Sequence, residues 1–399
     1  MLKPPHNHHH NHHHLIFSLL ILFIHLPFSI STTATADIAA LKSLKTFIKP
    51  SSIPPSSCIS TWDFSSDPCL TPKRTHFICG LTCSPDSTRV ISITLDSVGY
   101  SGSLTPYISQ LTQLVLLDLG QNSFHGTIPS SLSSLSLLQS LSLSYNSFTG
   151  PLPSSIGNLK SLQDLDLSNN LLSGSIPNTL FSLSHLTRLD LSFNKFSGTL
   201  PAKLPPNLHE LAIKANSLSG TITKTSFTEL TQLETVELSG NSFTGVLQSW
   251  LFQLPALQQI NLSNNSFTGV EIWRVGKKLS SLVAVDLGFN KIEGYLPVNL
   301  SEYPVLASLS LRYNRLRGPI PLQYSKKSNL KRLFLDGNYL SGTPPAGFFT
   351  GVGEESPVIG SFGDNCLLRC PPKSELCLPL QKPMSVCKKV YGGKMPRRN

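Results

Sequence analysis

The sequence predicts a solenoid of short parallel strands. Three observations carry this. The phrase LQDLDLSNNLLSGSIP (162–177) recurs along the chain, with asparagines at 122, 146, 170, 194, 216, 241, 265, 290, 314 and 338. The steps between them are 24, 24, 24, 22, 25, 24, 25, 24 and 24 residues. All eight cysteines lie outside this array, four before it and four after it. A fixed period of this length marks an array whose units bury their apolar faces only against each other. ITLDSVGYSGSL (93–104) fits the same frame with Val98 in the Asn position, giving about eleven turns.

Each element of the phrase has a physical reason. Leu165 and Leu167 flank a polar residue, so both point to one side of a short strand. Stacked turns place such strands in parallel, at about 4.8 Å each. A buried Asn170 has to find partners, and the bend after the strand leaves backbone groups for it. Gly174 permits positive φ or a close backbone approach. Pro177 fixes φ and stops the strand from continuing.

LxxLxLxxNxLxGxIP resembles the plant type of extracytoplasmic leucine-rich repeat, over about residues 37–345. The resemblance implies a leucine-rich repeat solenoid, α/β but mainly short parallel strands. It implies a curved right-handed superhelix with a strand-lined concave face.

The ends read differently from the middle. Residues 1–36 are expected to be a signal peptide. A His-rich start precedes an apolar run from Leu15 to about Phe28, too short for an ordinary membrane span, and Ala34-Thr35-Ala36 offers a cleavage site. Residues 37–89 are expected to form an N-terminal cap. It opens with a helix whose apolar face is Ile38, Leu41, Leu44 and Phe47. Trp62, Asp67-Pro68-Cys69 and Phe77-Ile78-Cys79-Gly80-Leu81-Thr82-Cys83 resemble the cap that precedes plant leucine-rich repeats. That resemblance implies a Cys69–Cys83 pair; Cys58 and Cys79 are extra, and they are expected to pair with each other. Repeats occupy 90–345. Cys366, Cys370, Cys377 and Cys387 belong to a C-terminal cap at 346–387, with connectivity open. Residues 388–399 read as a disordered basic tail. Caps cover end turns that lack a neighbour, and disulfides staple caps too small for their own core. An even cysteine count behind a signal peptide, without paired CxxC spacing, favours disulfides over zinc.

The formal charge is +10, but no nucleic-acid-binding signature accompanies it. After the leader no apolar run is long enough to span a membrane, and no kinase motif occurs. His125, His185 and His209 are dispersed, without metal-ligand spacing or a nucleophile partner. These features point to a secreted non-enzyme with no cofactor or metal.

Function should lie on the variable positions of the strand face. The slot between the strand leucines holds Asp118, Asp166, Asp190, Glu237 and Asp286 among ten residues. This acidic column reads as a solvated face. The slot before the Asn holds Tyr145, Phe193, Phe289 and Tyr313, and exposed aromatics anchor interfaces. With nearby charges, the candidate ligand-binding residues are Tyr145, Asp166, Arg188, Asp190, Phe193, Phe289, Arg312, Tyr313 and Arg332. Asn261, Asn264 and Asn299 begin glycosylation sequons, and a glycan on either of the first two would interrupt this face.

The expected function is a secreted recognition protein, similar to plant receptor-like proteins that lack a kinase. It would be a monomer that binds a peptide or protein in the apoplast, in development or defence, with a membrane receptor kinase as a candidate partner. The alternative is an inhibitor of a secreted wall-degrading enzyme, resembling the polygalacturonase inhibitors. That family typically carries a Cys-Cys pair where this chain has Asp67-Pro68-Cys69.

Overall fold

A computed structural model describes residues 32–70, 80–273, 280–349 and 358–393. The leader expected at 1–36 falls mostly outside these, as does Cys79.

The repeat phrase folds as its pattern requires. Among the described residues one sheet has thirteen strands. Gly80–Cys83 opens it, antiparallel to Val90–Thr94. Parallel strands follow in chain order to Ile359–Ser361. In the middle, Asp164, Leu165 and Asp166 pair in register with Arg188, Leu189 and Asp190. Leu165 and Leu167 are buried, as are their equivalents up and down the stack. One continuous core therefore runs through the array.

Asparagine holds the bends. Asn170 Nδ2 donates to the carbonyls of Leu143 (2.9 Å), Leu167 (3.2 Å) and Ser168 (3.2 Å). Its Oδ1 accepts from the Phe148 amide at 2.9 Å. One side chain so satisfies groups on two successive turns. The other repeat asparagines reproduce the pattern, for example Asn338 toward Leu311 and Leu316.

The ladder continues beyond 345. Asn365 Nδ2 bonds to the carbonyls of Leu335, Phe362 and Gly363, and its Oδ1 accepts from the Leu340 amide. This further turn lies within the expected C-terminal cap. It escapes the sequence pattern because Gly360 stands opposite Leu333 and the step from Asn338 is 27 residues (365 minus 338).

A second set of strands follows each bend. Eight run from Ser101–Ser103 to Ser266–Val270, and four from Glu293–Tyr295 to Cys366–Leu367. Beneath them lies a column of buried rings, with Phe124 on Phe148 at 6.3 Å and Phe243 on Phe267 at 6.4 Å between centroids. Where Gln248 replaces the repeat proline, the strand extends over Ser242–Leu247, and it pairs onward through a bulge to Ser266–Val270.

Both caps differ from expectation in detail. The first helix is Thr35–Phe47 and buries Asp37, Ala40, Leu41 and Leu44. Its inward face is turned from the expected one: Ile48 is buried and Phe47 exposed. The reason is Asp37, which accepts from the Val90 amide and pairs with Arg89 at 2.9 Å. Upstream, the Thr33 amide donates to Asp67 and the Ala34 amide to the Thr88 carbonyl. The folded cap thus begins before residue 37 and includes the Ala34-Thr35-Ala36 segment. Cys69 pairs with Cys83, as the resemblance implied. Cys58 is also disulfide-bonded, and the expected Cys58–Cys79 pairing lies outside the described residues. At the other end the pairs are Cys366–Cys387 and Cys370–Cys377. The expected disordered tail is partly ordered. Helix Met384–Val390 crosses its boundary, and the Tyr391 hydroxyl donates to the Tyr339 carbonyl and accepts from the Gly318 amide.

Candidate functional site

The exposed face of the thirteen-stranded sheet carries the candidate residues. The acidic column has a role that sequence reasoning missed. Asp166 Oδ1 accepts from the Ser168 amide and Asp190 Oδ1 from the Ser192 amide, while Asp118 and Asp286 do the same for Gly120 and Gly288. Each carboxylate ties down the turn two residues on. Solvation alone is therefore not why these acids are there.

Arg188 is held among acids. It reaches Asp164 at 3.2 Å, Glu210 at 3.3 Å and Asp190 at 3.9 Å. Burial works against its charge, but Asp164 and Glu210 outweigh burial and keep the guanidinium pKa above its ordinary value. Burial also raises Asp164, with Arg188 opposing. Asp164 and Glu210 were not among the candidates; they stand one slot before the strand leucine, where no repeating chemistry marks them.

The four aromatics share an unusual backbone. Tyr145, Phe193, Phe289 and Tyr313 have φ between 50° and 55°, in the left-handed region. Every residue of this slot does so, and at 240 and 337 it is glycine. A side chain here costs on the order of 1 kcal/mol relative to glycine. The aromatics nevertheless stay 57%, 48%, 44% and 40% exposed. The Tyr313 ring leans along the stack toward the next turn. A Cβ on Gly337 would lie 2.5 Å from the Tyr313 ring, so that ring occupies space only glycine leaves free.

The structure divides these residues into two groups. Tyr145, Asp166, Arg188, Asp190 and Phe193 lie on successive turns, with Lys214 Nζ 5.3 Å from the Phe193 ring. Of the second group, Phe289, Arg312 and Arg332 line a pocket of about 510 Å³. Phe334 lines it as well, together with Glu237, Asn261 and Asp286. Phe289 stacks on Tyr313 at 4.7 Å. The Arg312 guanidinium sits over the rings of Phe289, Tyr313 and Phe334 at 5.3–5.6 Å. It also pairs with Asp336 at 2.9 Å. Asp336 is 1% exposed, and its Oδ1, Arg312 Nε and Ser310 Oγ are buried without hydrogen-bond partners. Asp336 was missed in the sequence, although a signal exists. Its slot, two before the Asn, is Gly or Ser in most repeats but Lys at 214, Arg at 312 and Asp at 336.

Burial raises the Glu237 pKa, opposed by a hydrogen bond from Asn261. The folded chain therefore holds this proton more readily than the unfolded one. The ionised group costs stability above its folded pKa, and that cost disappears as pH falls through it. Glu237→Gln should accordingly leave the thermal midpoint at pH 7 unchanged or raised. The difference from wild type should shrink as the pH approaches 4, and melting curves at several pH values check this.

The sequons are unequal. Asn261 Nδ2 donates to Glu237 Oε2 at 3.3 Å, and Asn299 Nδ2 to the Ile272 carbonyl at 2.7 Å. Asn264 is exposed and lines the pocket. Among the described residues no His, Cys, Asp or Glu group could hold a metal, and no helix is long and apolar enough to cross a membrane.

This stack of asparagine-laddered turns with a side-chain-lined strand face defines a repeat protein built for contact. The chain belongs to the leucine-rich repeat family: the model of a leucine-rich repeat region matches residues 90–319, more than half its length, and a second, Leucine Rich Repeat, matches 329–350. The chain is structurally similar to plant leucine-rich repeat receptor ectodomains. PEPR1-AtPEP1 is 32% identical with TM-score 0.73, covering 84% of this chain and 46% of that one. The plant peptide hormone receptor RGFR1 in complex with RGF2 is 29% identical with TM-score 0.56, covering 65% and 45%. The ectodomain of GASSHO1/SCHENGEN3 from Arabidopsis thaliana, in complex with CASPARIAN STRIP INTEGRITY FACTOR 2, is 27% identical with TM-score 0.63, covering 83% and 44%. The chain thus spans less than half of each of these structures. A comparison with curated proteins returns no sequence match.

Proposed function

We propose that this chain is a secreted recognition protein of the plant extracellular space that binds a peptide or protein segment along the exposed face of its long sheet. It would act in development or defence signalling, receptor-like and without a kinase of its own, by contact and not by catalysis. A membrane receptor kinase is the expected signalling partner. The leader would end before Thr33, since Thr33 is built into the cap.

One observation carries this reading. Four aromatics remain exposed at left-handed positions where glycine would be less strained. Backbone strain works against keeping aromatics there, and interface anchoring supplies a reason for them, above all for Tyr145, the most exposed of the four. The complexes of RGFR1 with RGF2 and of GASSHO1/SCHENGEN3 with its factor support the same use of a similar fold.

The test follows from the backbone. Replacing Tyr145 and Phe193 with glycine should leave the melting temperature unchanged or raise it. Capture of ligands from plant extracellular fluid, compared by mass spectrometry with wild type, should fall at least tenfold. Equal capture by both proteins would defeat the proposal.

A further inference from the structure

The pocket on the 235–334 strands has a charge order. Glu237 and Asp286 stand at one end, on the Thr235–Glu237 and Ala284–Asp286 strands. Arg312 and Arg332 stand at the other, with Arg332 on Arg332–Phe334 and Arg312 just after Ser308–Ser310. Phe289 and Phe334 lie among them. Asp336 already engages Arg312 through one nitrogen. Arg332 is exposed and has no ion pair among the described residues. An exposed guanidinium without an ion pair beside an open pocket is a group that a ligand carboxylate would satisfy.

Taking the proposed recognition role as its basis, we infer that this pocket receives an extended segment with a basic side chain and an acidic side chain four residues apart. The basic one meets Glu237 and Asp286. The acidic one meets the exposed guanidinium of Arg332, with Arg312 beside it. The spacing comes from geometry. The acidic and basic ends are about two and a half strand steps apart, or roughly 12 Å at about 4.8 Å per strand. An extended chain advances about 13 Å over four residues, at about 3.3 Å each. Positions i, i+2 and i+4 share one face, so the middle side chain meets the aromatics and is apolar. Segments of one charge sign place a like charge against one end of the pocket.

Selection of random twelve-residue displayed peptides on the full secreted chain tests this. The expected enrichment is Lys or Arg, then an apolar residue two positions away, then Asp or Glu two further on, in either chain direction. Arg332→Glu keeps the fold, because Arg332 is exposed and unpaired. Selection on this variant should shift the acidic position to Lys or Arg, and it should weaken the wild-type winners at least tenfold. Peptides that are enriched without this pattern, or whose ranking Arg332→Glu leaves unchanged, overturn the inference while recognition by the face stands. No enrichment on either protein overturns both. Full glycan occupancy at Asn261 or Asn264, measured by mass spectrometry of the secreted chain, would close the pocket and likewise overturn the inference.

Discussion

Asn170→Ala is expected to lower stability by about 1–3 kcal/mol. The substitution leaves the buried Phe148 amide without its partner, while the carbonyls of Leu143, Leu167 and Ser168 lose one bond each but keep those from Asn146, Asn194 and the Tyr145 amide. A buried backbone group left unpaired costs about 1–3 kcal/mol, and water entering the vacated space offsets part of it. Asn170→Asp separates hydrogen bonding from shape. It keeps the acceptor for Phe148 but turns a carboxylate oxygen toward three carbonyls, so it should be no better than alanine. Urea unfolding measures both. Hydrogen exchange should localise the loss to the turns around residues 143–172, since each turn contacts only its neighbours. A loss under 1 kcal/mol for both variants would mean that the asparagine ladder is not what closes these bends.

Arg312→Ala is expected to cost about 3 kcal/mol. It leaves the Asp336 carboxylate, almost fully buried, without a counter-charge. Breaking such a pair from one side typically costs about 3–5 kcal/mol, and the partial exposure of Arg312 places this case at the lower end. The double variant Arg312→Ala with Asp336→Ser should return to within about 1 kcal/mol of wild type, because serine is the commonest residue in that slot. Thermal or urea unfolding of the three variants completes the cycle. Additive losses would show that the two side chains do not act as a pair.

Much of the fold was legible because it is local and repeated. Leu165, Leu167 and Asn170 each have one structural solution, and ten copies in register remove the ambiguity that a single copy would have. The Cys69–Cys83 pair was legible for another reason, the resemblance of its surroundings to a known cap. The pattern failed where a repeat departs from its consensus. Asn365 closes a further turn, but Gly360 in place of leucine and a longer step hid it. Tyr391 docks on Gly318 and Tyr339 from a segment that composition alone marks as a tail.

The candidate site was legible as a face but not as an arrangement. Period-two alternation placed Tyr145, Phe193, Phe289 and Tyr313 on one surface. It did not reveal that their slot is left-handed, which is what makes an aromatic there informative. Arg188 and Arg312 looked alike in the sequence, as basic residues on the strand face. The structure separates them, setting Arg188 among Asp164, Asp190 and Glu210 and giving Arg312 one buried partner and three rings.

By itself the sequence determined the repeat, its period, the direction of its leucines and the need for lids at both ends. These follow from side-chain chemistry within about 24 residues and from the impossibility of burying one turn alone. Only the tertiary structure decided which charges neutralise each other and where a cavity opens. Those outcomes depend on side chains from neighbouring turns meeting across strands, at distances that no position along the chain encodes.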